Sequence, residues 1–122
     1  MASNPARGAA GESFVVGRLE RAGYRVLDRN WRRRGGELDV VALDGQVLVF
    51  VEVKVRTGTA FGTADEAIGP RKLERLMTTA QRYIAEHEEL HDLIWRVDLV
   101  AVTLGTDGAI VAYRHYQNVT SD

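Results

Sequence analysis

The chain has 122 residues, 45% of them hydrophobic and 27% charged, with a net charge of −1. This composition is typical of one globular domain with a buried core, predicted over residues 1–122 with flexible tails at about 1–8 and 119–122. The near-neutral charge argues against a protein that coats nucleic acid, and the lack of cysteine excludes disulfides, thiolate zinc sites and cysteine nucleophiles. We find no apolar leader and no run near the ~18 apolar residues of a membrane span, so we expect a cytoplasmic protein that does not enter membranes.

The first predicted element is a helix over about Ala9 to Ala22. Its apolar residues recur at helical spacing: Val15, Val16, Leu19 and Ala22. Glu12 shares this apolar stripe. It is either a first-turn glutamate favoured by the helix dipole or a functional carboxylate that points inward, and the sequence leaves both interpretations open.

A strand is predicted over Tyr24 to Trp31, followed by a loop over Arg32 to Gly36. The loop carries three consecutive arginines, Arg32, Arg33 and Arg34, next to two glycines. Arginines on such a loop can contact phosphates, although a solvated charged turn explains the same pattern.

The next stretch, Glu37 to Lys54, has the pattern of a β-hairpin, because two runs rich in Val and Leu flank Asp44-Gly45. With these two residues as the turn, Asp39 lies opposite Phe50 and diagonally across from Glu52. Side chains alternate with period two, so one face carries four charged groups: Glu37, Asp39, Glu52 and Lys54. Burial of such a set is costly unless the charges are paired or hold a metal.

Arg56 to Gly69 is predicted as a long Gly- and Thr-rich loop, of a length that is often functional. A helix then begins at Pro70 and ends near Glu86. Its predicted buried face comprises Leu73, Leu76, Met77, Ala80 and Ile84, with Gln81 and Tyr83 at the margins. Its other side is basic, with Arg71, Lys72, Arg75 and Arg82, which are solvated or contact phosphates.

Two further strands are predicted, Ile94 to Leu104 and Ala109 to Tyr116. The full order is helix, three strands, helix, two strands. Such intermixed elements favour an α/β fold in which helices cover one central sheet.

Two carboxylates on adjacent strands, Asp39 and Glu52, make an oxygen site suited to a hard cation, Mg²⁺ or Mn²⁺. Lys54 stands two residues after Glu52 and faces the same site. It can orient or deprotonate the attacking water, or stabilise charge on a phosphorus centre. The sequence therefore indicates metal-dependent chemistry at a phosphate.

A set of short motifs over about Gly11 to Asn118 resembles the YraN-like family, small bacterial proteins described as endonucleases. The motifs are Asn30-Trp31-Arg32, Gly36-Glu37-Leu38-Asp39, Phe50 to Arg56, Phe61-Gly62, Glu66-Ala67, Lys72 with Arg75-Leu76, and Arg96-Val97-Asp98. The family in turn is similar to the PD-(D/E)xK superfamily, with its restriction-endonuclease-like fold, and to archaeal Holliday junction resolvases.

This resemblance implies an αβββαβ core with a central mixed sheet flanked by helices, and Mg²⁺-dependent hydrolysis of DNA. Branched or damaged DNA, as in repair or recombination, is the implied substrate. The resemblance gives metal roles to Asp39 and Glu52, an accessory acid and metal role to Glu12, and the catalytic lysine role to Lys54. The expected nucleic-acid-binding residues are Arg32, Arg33, Arg34, Lys72 and Arg75, and the expected accessory residues are Glu37 and Gln81.

The sequence departs from the superfamily at two positions. Leu38 stands where a proline usually precedes the first acid, and Gln81 lies two residues before Tyr83 instead of four. A non-catalytic nucleic-acid-binding module on the same fold is therefore the alternative function, because a fold alone does not determine activity. The resemblance leaves open whether the chain forms a homodimer.

Overall fold

The chain forms one five-stranded mixed sheet in the computed structural model, which describes residues 5–58 and 68–120. Its elements are α1 (Pro5–Arg21), β1 (Arg25–Arg33), β2 (Gly36–Asp44), β3 (Val47–Thr57), α2 (Pro70–Ala85), a 3₁₀ turn (Glu88–Leu90), β4 (Ile94–Leu104) and β5 (Ile110–Tyr116). The strands lie in the order β1-β2-β3-β4-β5, and only β3 and β4 are parallel. The parallel pair requires a crossover, which contains α2. The predicted α/β class and αβββαβ order are confirmed.

Helix α2 covers one face of the sheet, as its apolar pattern predicts. Leu76 and Ala80 are buried against Phe50 of β3, and Leu73, Met77 and Ile84 pack around them. Tyr83 was expected at the margin of this face, but that prediction is wrong, because only 2% of Tyr83 is exposed. Its ring lies edge-on to Trp31 and Phe50, and its hydroxyl donates to Asp28 at 3.2 Å. A hydrogen-bonded hydroxyl allows tyrosine to be buried at low cost.

Helix α1 covers the opposite face. Val15, Val16 and Leu19 pack against the odd-numbered valines of β3, among them Val49 and Val51. The odd-numbered valines of β3 therefore share the face of the sheet that α1 covers. The helix begins at Pro5, earlier than predicted, and approaches β3 closely near Gly11, where an added Cβ would lie 2.5 Å from Val55 Cγ2.

The hairpin register differs from the predicted one by two residues. Asp44 pairs with Val47 and Val41 with Phe50, so the turn residues are Gly45 and Gln46, not Asp44 and Gly45. Of these turn residues only Gly45 has a positive φ, 60°. A type II′ turn requires a positive φ only at its first central position, whereas the predicted type I′ turn requires it at both. A shift of two residues leaves each side chain on its face.

The predicted loop over Arg32 to Gly36 is also wrong in its extent. Strand β1 continues through Arg33, which pairs with Gly36, and only Arg34 and Gly35 form the turn. Gly35 has a φ of 89°, which allows this tight connection. Strand β3 likewise continues to Thr57, into the predicted loop. The rest of that loop through Ala67, with Phe61 and the Glu66-Ala67 motif, lies outside the described residues.

Gly36 is expected to tolerate no larger residue. A Cβ at this position would overlap Thr79 Oγ1 and lie 3.1 Å from the Cβ and Cγ2 of Thr79. Gly36→Ala should therefore destabilise the protein by roughly 1–3 kcal/mol, measured by urea unfolding, because overpacking forces the backbone apart. Thr79→Ala should remove part of that cost in the double variant. Equal costs of Gly36→Ala in both backgrounds would show that α2 does not restrict this position.

Candidate active site

Asp39 lies where the pairing between β2 and β3 ends. The last main-chain pair is Val40 with Val51, so the next residues along the two strands are Asp39 and Glu52. Beyond this pair the side chain of Asp39 replaces a main-chain acceptor, since its Oδ2 accepts a hydrogen bond of 2.8 Å from the Val53 amide. The carboxylate is thereby held beside the strand that carries Glu52 and Lys54.

Glu52 is the buried centre of the site, with 6% of the residue exposed. Its Oε2 lies 2.5 Å from Lys72 Nζ and 3.8 Å from Lys54 Nζ. Lys54 comes from the same strand, whereas Lys72 comes from the first turn of α2. These are the only two lysines in the sequence; the other fourteen cationic side chains are arginines. Both lysines therefore converge on one buried carboxylate.

The site shifts the pKa values of three of its groups. Burial, and then the charge and hydrogen bonding of Glu52, raise the pKa of Asp39 to about 8; the Val53 amide opposes the shift and Glu12 adds to it. Burial, and then the neighbouring Lys72, lower the pKa of Lys54. Burial opposes protonation of Lys72 as well, but the hydrogen bond to Glu52 prevails and raises its pKa. Burial is the largest cause for all three groups, and it disfavours their charged forms.

Asp39 and Glu52 fit a hard divalent cation. Two carboxylates that repel each other in a buried site are stabilised by a cation between them, and Mg²⁺ is usually held by one or two carboxylates with several waters. Within residues 5–58 and 68–120, no group of three or more His, Asp or Glu side chains could hold a metal ion. Glu12, half-buried on α1, therefore acts on this pair through its charge, and its metal role stays a prediction.

The structure separates the predicted basic residues into two groups. Arg32 pairs with Glu37 at 3.1 Å on the exposed side of β1 and β2, which removes Glu37 from the carboxylates around Asp39. Arg33 donates to Glu86 at 2.9 Å and stacks over Trp31 at 4.2 Å. Both arginines are thus neutralised by neighbouring acids.

Of the other predicted residues, Lys72 contacts Glu52, whereas Arg34, Arg75 and Gln81 are exposed on or beside α2. Arg34 occupies the β1–β2 turn, and Arg75 lies one helical turn from Thr79, which contacts Gly36. Among the described residues, neither the Arg34 nor the Arg75 side chain has an ion-pair or hydrogen-bond partner. Gln81 is exposed on α2, and its accessory role stays a prediction.

Asp39 is expected to make the metal-free protein less stable as the pH rises. Its folded-state pKa lies above the ordinary 3.8, so between about 4 and 8 the folded chain binds more protons than the unfolded chain and stability falls. Asp39→Asn should remove this part of the pH dependence. Urea unfolding of both proteins in a chelator measures it, and parallel stability curves over that range would contradict the prediction.

A second polar cluster, which the sequence analysis did not detect, surrounds Asp98 on the α1 face. Asp98 is fully buried; it accepts from Arg96 Nε at 3.0 Å and the Asn118 amide at 2.9 Å, and its Oδ2 lies 2.8 Å from His115 Nε2. Arg96 also donates to Tyr24 and to Asp44. The available signal was the presence of Arg96 and Asp98, the two charged residues of β4, at alternate positions in a strand of mostly apolar residues.

A family model with the description "Uncharacterised protein family UPF0102" matches residues 11–102. The chain belongs to the UPF0102 family. Among its UPF0102 relatives, a protein of Beutenbergia cavernae is 50% identical over 109 residues, 89% of this chain and 92% of the relative. A protein of Kineococcus radiotolerans is 48% identical over 101 residues, 83% of each chain. The resemblance to the YraN-like family is thereby confirmed.

Among solved structures, this UPF0102 chain matches SfsA of Pyrococcus furiosus in complex with Ca²⁺, with a TM-score of 0.42 and 17% identity. The match covers 92% of this chain and 62% of that one. In the described part of the chain, no helix is both long and apolar enough to span a membrane.

Proposed function

We propose that this protein is a metal-dependent DNA endonuclease of the PD-(D/E)xK type. The observation that carries the proposal is the convergence of Asp39, Glu52 and Lys54 at the point where two strands separate. Carboxylates for a hard cation beside a lysine are the groups that phosphodiester hydrolysis requires. The confirmed αβββαβ order supports the same class.

Each group has a distinct role in this proposal. Mg²⁺ or Mn²⁺ bound by Asp39 and Glu52 would supply Lewis acidity at the phosphate. The Val53 amide fixes the orientation of Asp39, so this carboxylate is positioned before any substrate binds. Lys54 is half-buried on β3, where burial and then Lys72 lower its pKa. Its proposed role is to orient or deprotonate the attacking water.

The nucleic acid is proposed to bind along the exposed ridge formed by Arg34 and Arg75. The β1–β2 turn lies beside the last turn of α2, where Arg82 donates to the carbonyl oxygen of Arg34 at 3.2 Å. Arg34 thereby adds a cation beside the last turn of α2, and along the helix Arg75 lies between this end and the first turn, which carries Lys72. Unpaired arginines can bind phosphates without first breaking an ion pair.

Removal of the positive charges of Arg34 and Arg75 should weaken binding to DNA of every sequence. Arg34→Ala with Arg75→Ala should reduce the slope of log K against log salt by about 1–2, since each lost phosphate contact contributes about 0.9. Arg32→Ala with Arg33→Ala is the matched control and should have a smaller effect, because Glu37 and Glu86 already neutralise these arginines. Fluorescence anisotropy across a salt series measures both, and equal slopes for the two double variants would contradict the proposal.

The decisive experiment is a cleavage assay on single-stranded, duplex and four-way-junction DNA with Mg²⁺ or Mn²⁺. We expect the parent to cleave DNA only in the presence of the metal, so that a chelator abolishes cleavage. We expect Glu52→Gln not to cleave DNA. Binding of the same DNA without cleavage of any substrate, under both metals, would support the non-catalytic nucleic-acid-binding module instead.

A further inference from the structure

Lys72 contacts an oxygen of Glu52, which is one of the two carboxylates of the proposed metal site. Its Nζ lies in direct contact with Glu52 Oε2, at 2.5 Å. Lys54 Nζ lies 3.8 Å from that oxygen, beyond hydrogen-bonding distance. The ion pair with Lys72 is therefore the closer of the two.

Glu52 is the group that holds Lys72 in place. Lys72 lies in the first turn of α2, where the helix dipole disfavours a cation, and Gly69 provides no side-chain cap there. Some 38% of the Lys72 side chain is exposed, so its four-carbon stem can carry the ammonium to solvent while α2 stays in place.

We propose that Lys72 and a divalent cation compete for Glu52, so that binding of the cation releases Lys72 from the site. A divalent cation on Glu52 would lie within a few ångströms of the Lys72 ammonium. The repulsion between these two cations would exceed the attraction between the ammonium and the carboxylate of Glu52. Lys54 stays, because it extends from the middle of the sheet. The inference rests on the proposed function, whose metal site it uses, and it makes Lys72 available to a substrate phosphate only after the cation is bound.

Isothermal calorimetry with Mg²⁺ alone tests the competition. Lys72→Met removes the internal cation and should tighten Mg²⁺ binding by about tenfold or more, whereas Lys72→Arg keeps the charge and should bind Mg²⁺ as the parent does. Arg71→Met is the matched control, because Arg71 is exposed on the same turn and has no ion-pair or hydrogen-bond partner among the described residues. It should leave the affinity for Mg²⁺ unchanged.

Because the sequence contains only two lysines, their NMR signals can be assigned and give a second measurement that is independent of activity. Reductive methylation with ¹³C-formaldehyde labels Lys54, Lys72 and the amino terminus, and Lys72→Met and Lys54→Met assign the NMR signals. Addition of Mg²⁺ should shift the Lys72 signal toward that of a solvated lysine.

The outcomes separate this inference from the proposed function. Equal Mg²⁺ affinity in the parent and Lys72→Met, with no change in the Lys72 signal, would overturn the competition while the metal site stands. Failure of Mg²⁺ to bind either protein would overturn the metal site itself. Tight binding to Lys72→Met beside weak binding to the parent and to Lys72→Arg supports both.

Discussion

Lys54→Ala is expected to keep the parental affinity for Mg²⁺ and yet lose cleavage by about 10²-fold or more, the scale of one positioned catalytic group. Lys54 carries a positive charge 3.8 Å from Glu52, so it contributes nothing favourable to a cation bound there. Its proposed contribution is made at the attacking water or the phosphate. Calorimetry with Mg²⁺ and a single-turnover cleavage time course measure the two quantities separately.

Variants of the carboxylates provide the comparison for Lys54. Asp39→Asn and Glu52→Gln should lose both Mg²⁺ binding and cleavage, because a hard cation loses a charged oxygen that no neighbour replaces. The effect of Glu12→Gln should fall between that of Lys54→Ala and that of these two carboxylate variants, since Glu12 acts on Asp39 through its charge. If Lys54→Ala cuts DNA at the parental rate, or if Asp39→Asn binds Mg²⁺ as the parent does, this assignment of roles is wrong.

Asp98→Ala is expected to cost about 3–5 kcal/mol of the free energy of unfolding, the usual scale for breaking a buried ion pair. The variant leaves the Arg96 guanidinium, whose side chain is only 16% exposed, without its nearest carboxylate. It also leaves the Asn118 amide without its acceptor. Because small domains have about 5–15 kcal/mol in total, urea unfolding should show a large loss of stability. Asp92→Ala removes an exposed acid and should change stability by less than about 0.5 kcal/mol.

The pH dependence of stability distinguishes a charge effect at Asp98 from a simple packing defect. Despite its burial, hydrogen bonds from His115, the Asn118 amide and Arg96 hold the pKa of Asp98 below its ordinary 3.8. A lowered folded-state pKa stabilises the protein at pH values above the ordinary pKa, and this stabilisation is lost as the pH falls below about 4. The parent should therefore lose more stability than Asp98→Asn on acidification. An equal loss in both proteins would assign the cost to packing alone.

Local patterns in the sequence predicted much of the fold because each pattern reflects a single element. The apolar spacing of α2 predicted its buried face from Leu73 to Ile84, and the alternation in β4 predicted the bounds Ile94–Leu104. The predicted αβββαβ order also placed Asp39 and Glu52 on neighbouring strands. Such patterns do not require knowledge of how elements pack.

Properties that depend on two distant segments required the tertiary structure. Tyr83 was misassigned because its burial depends on Asp28, Trp31 and Phe50, which lie on two strands. The hairpin register was wrong because the adopted turn depends on backbone angles that the Asp44-Gly45 pair does not fix.

The sequence by itself determined that the predicted hairpin carries the carboxylates Asp39 and Glu52 and the lysine Lys54 on one face. Only the tertiary structure decided that Lys72, eighteen residues further along the chain, contacts Glu52. It also decided that Arg32 and Arg33 pair with acids, whereas Arg34 and Arg75 have no ion-pair partner within residues 5–58 and 68–120. The physical reason is that a local pattern assigns a side chain to a face, whereas an ion pair depends on which faces the packing of α2 on the sheet brings together.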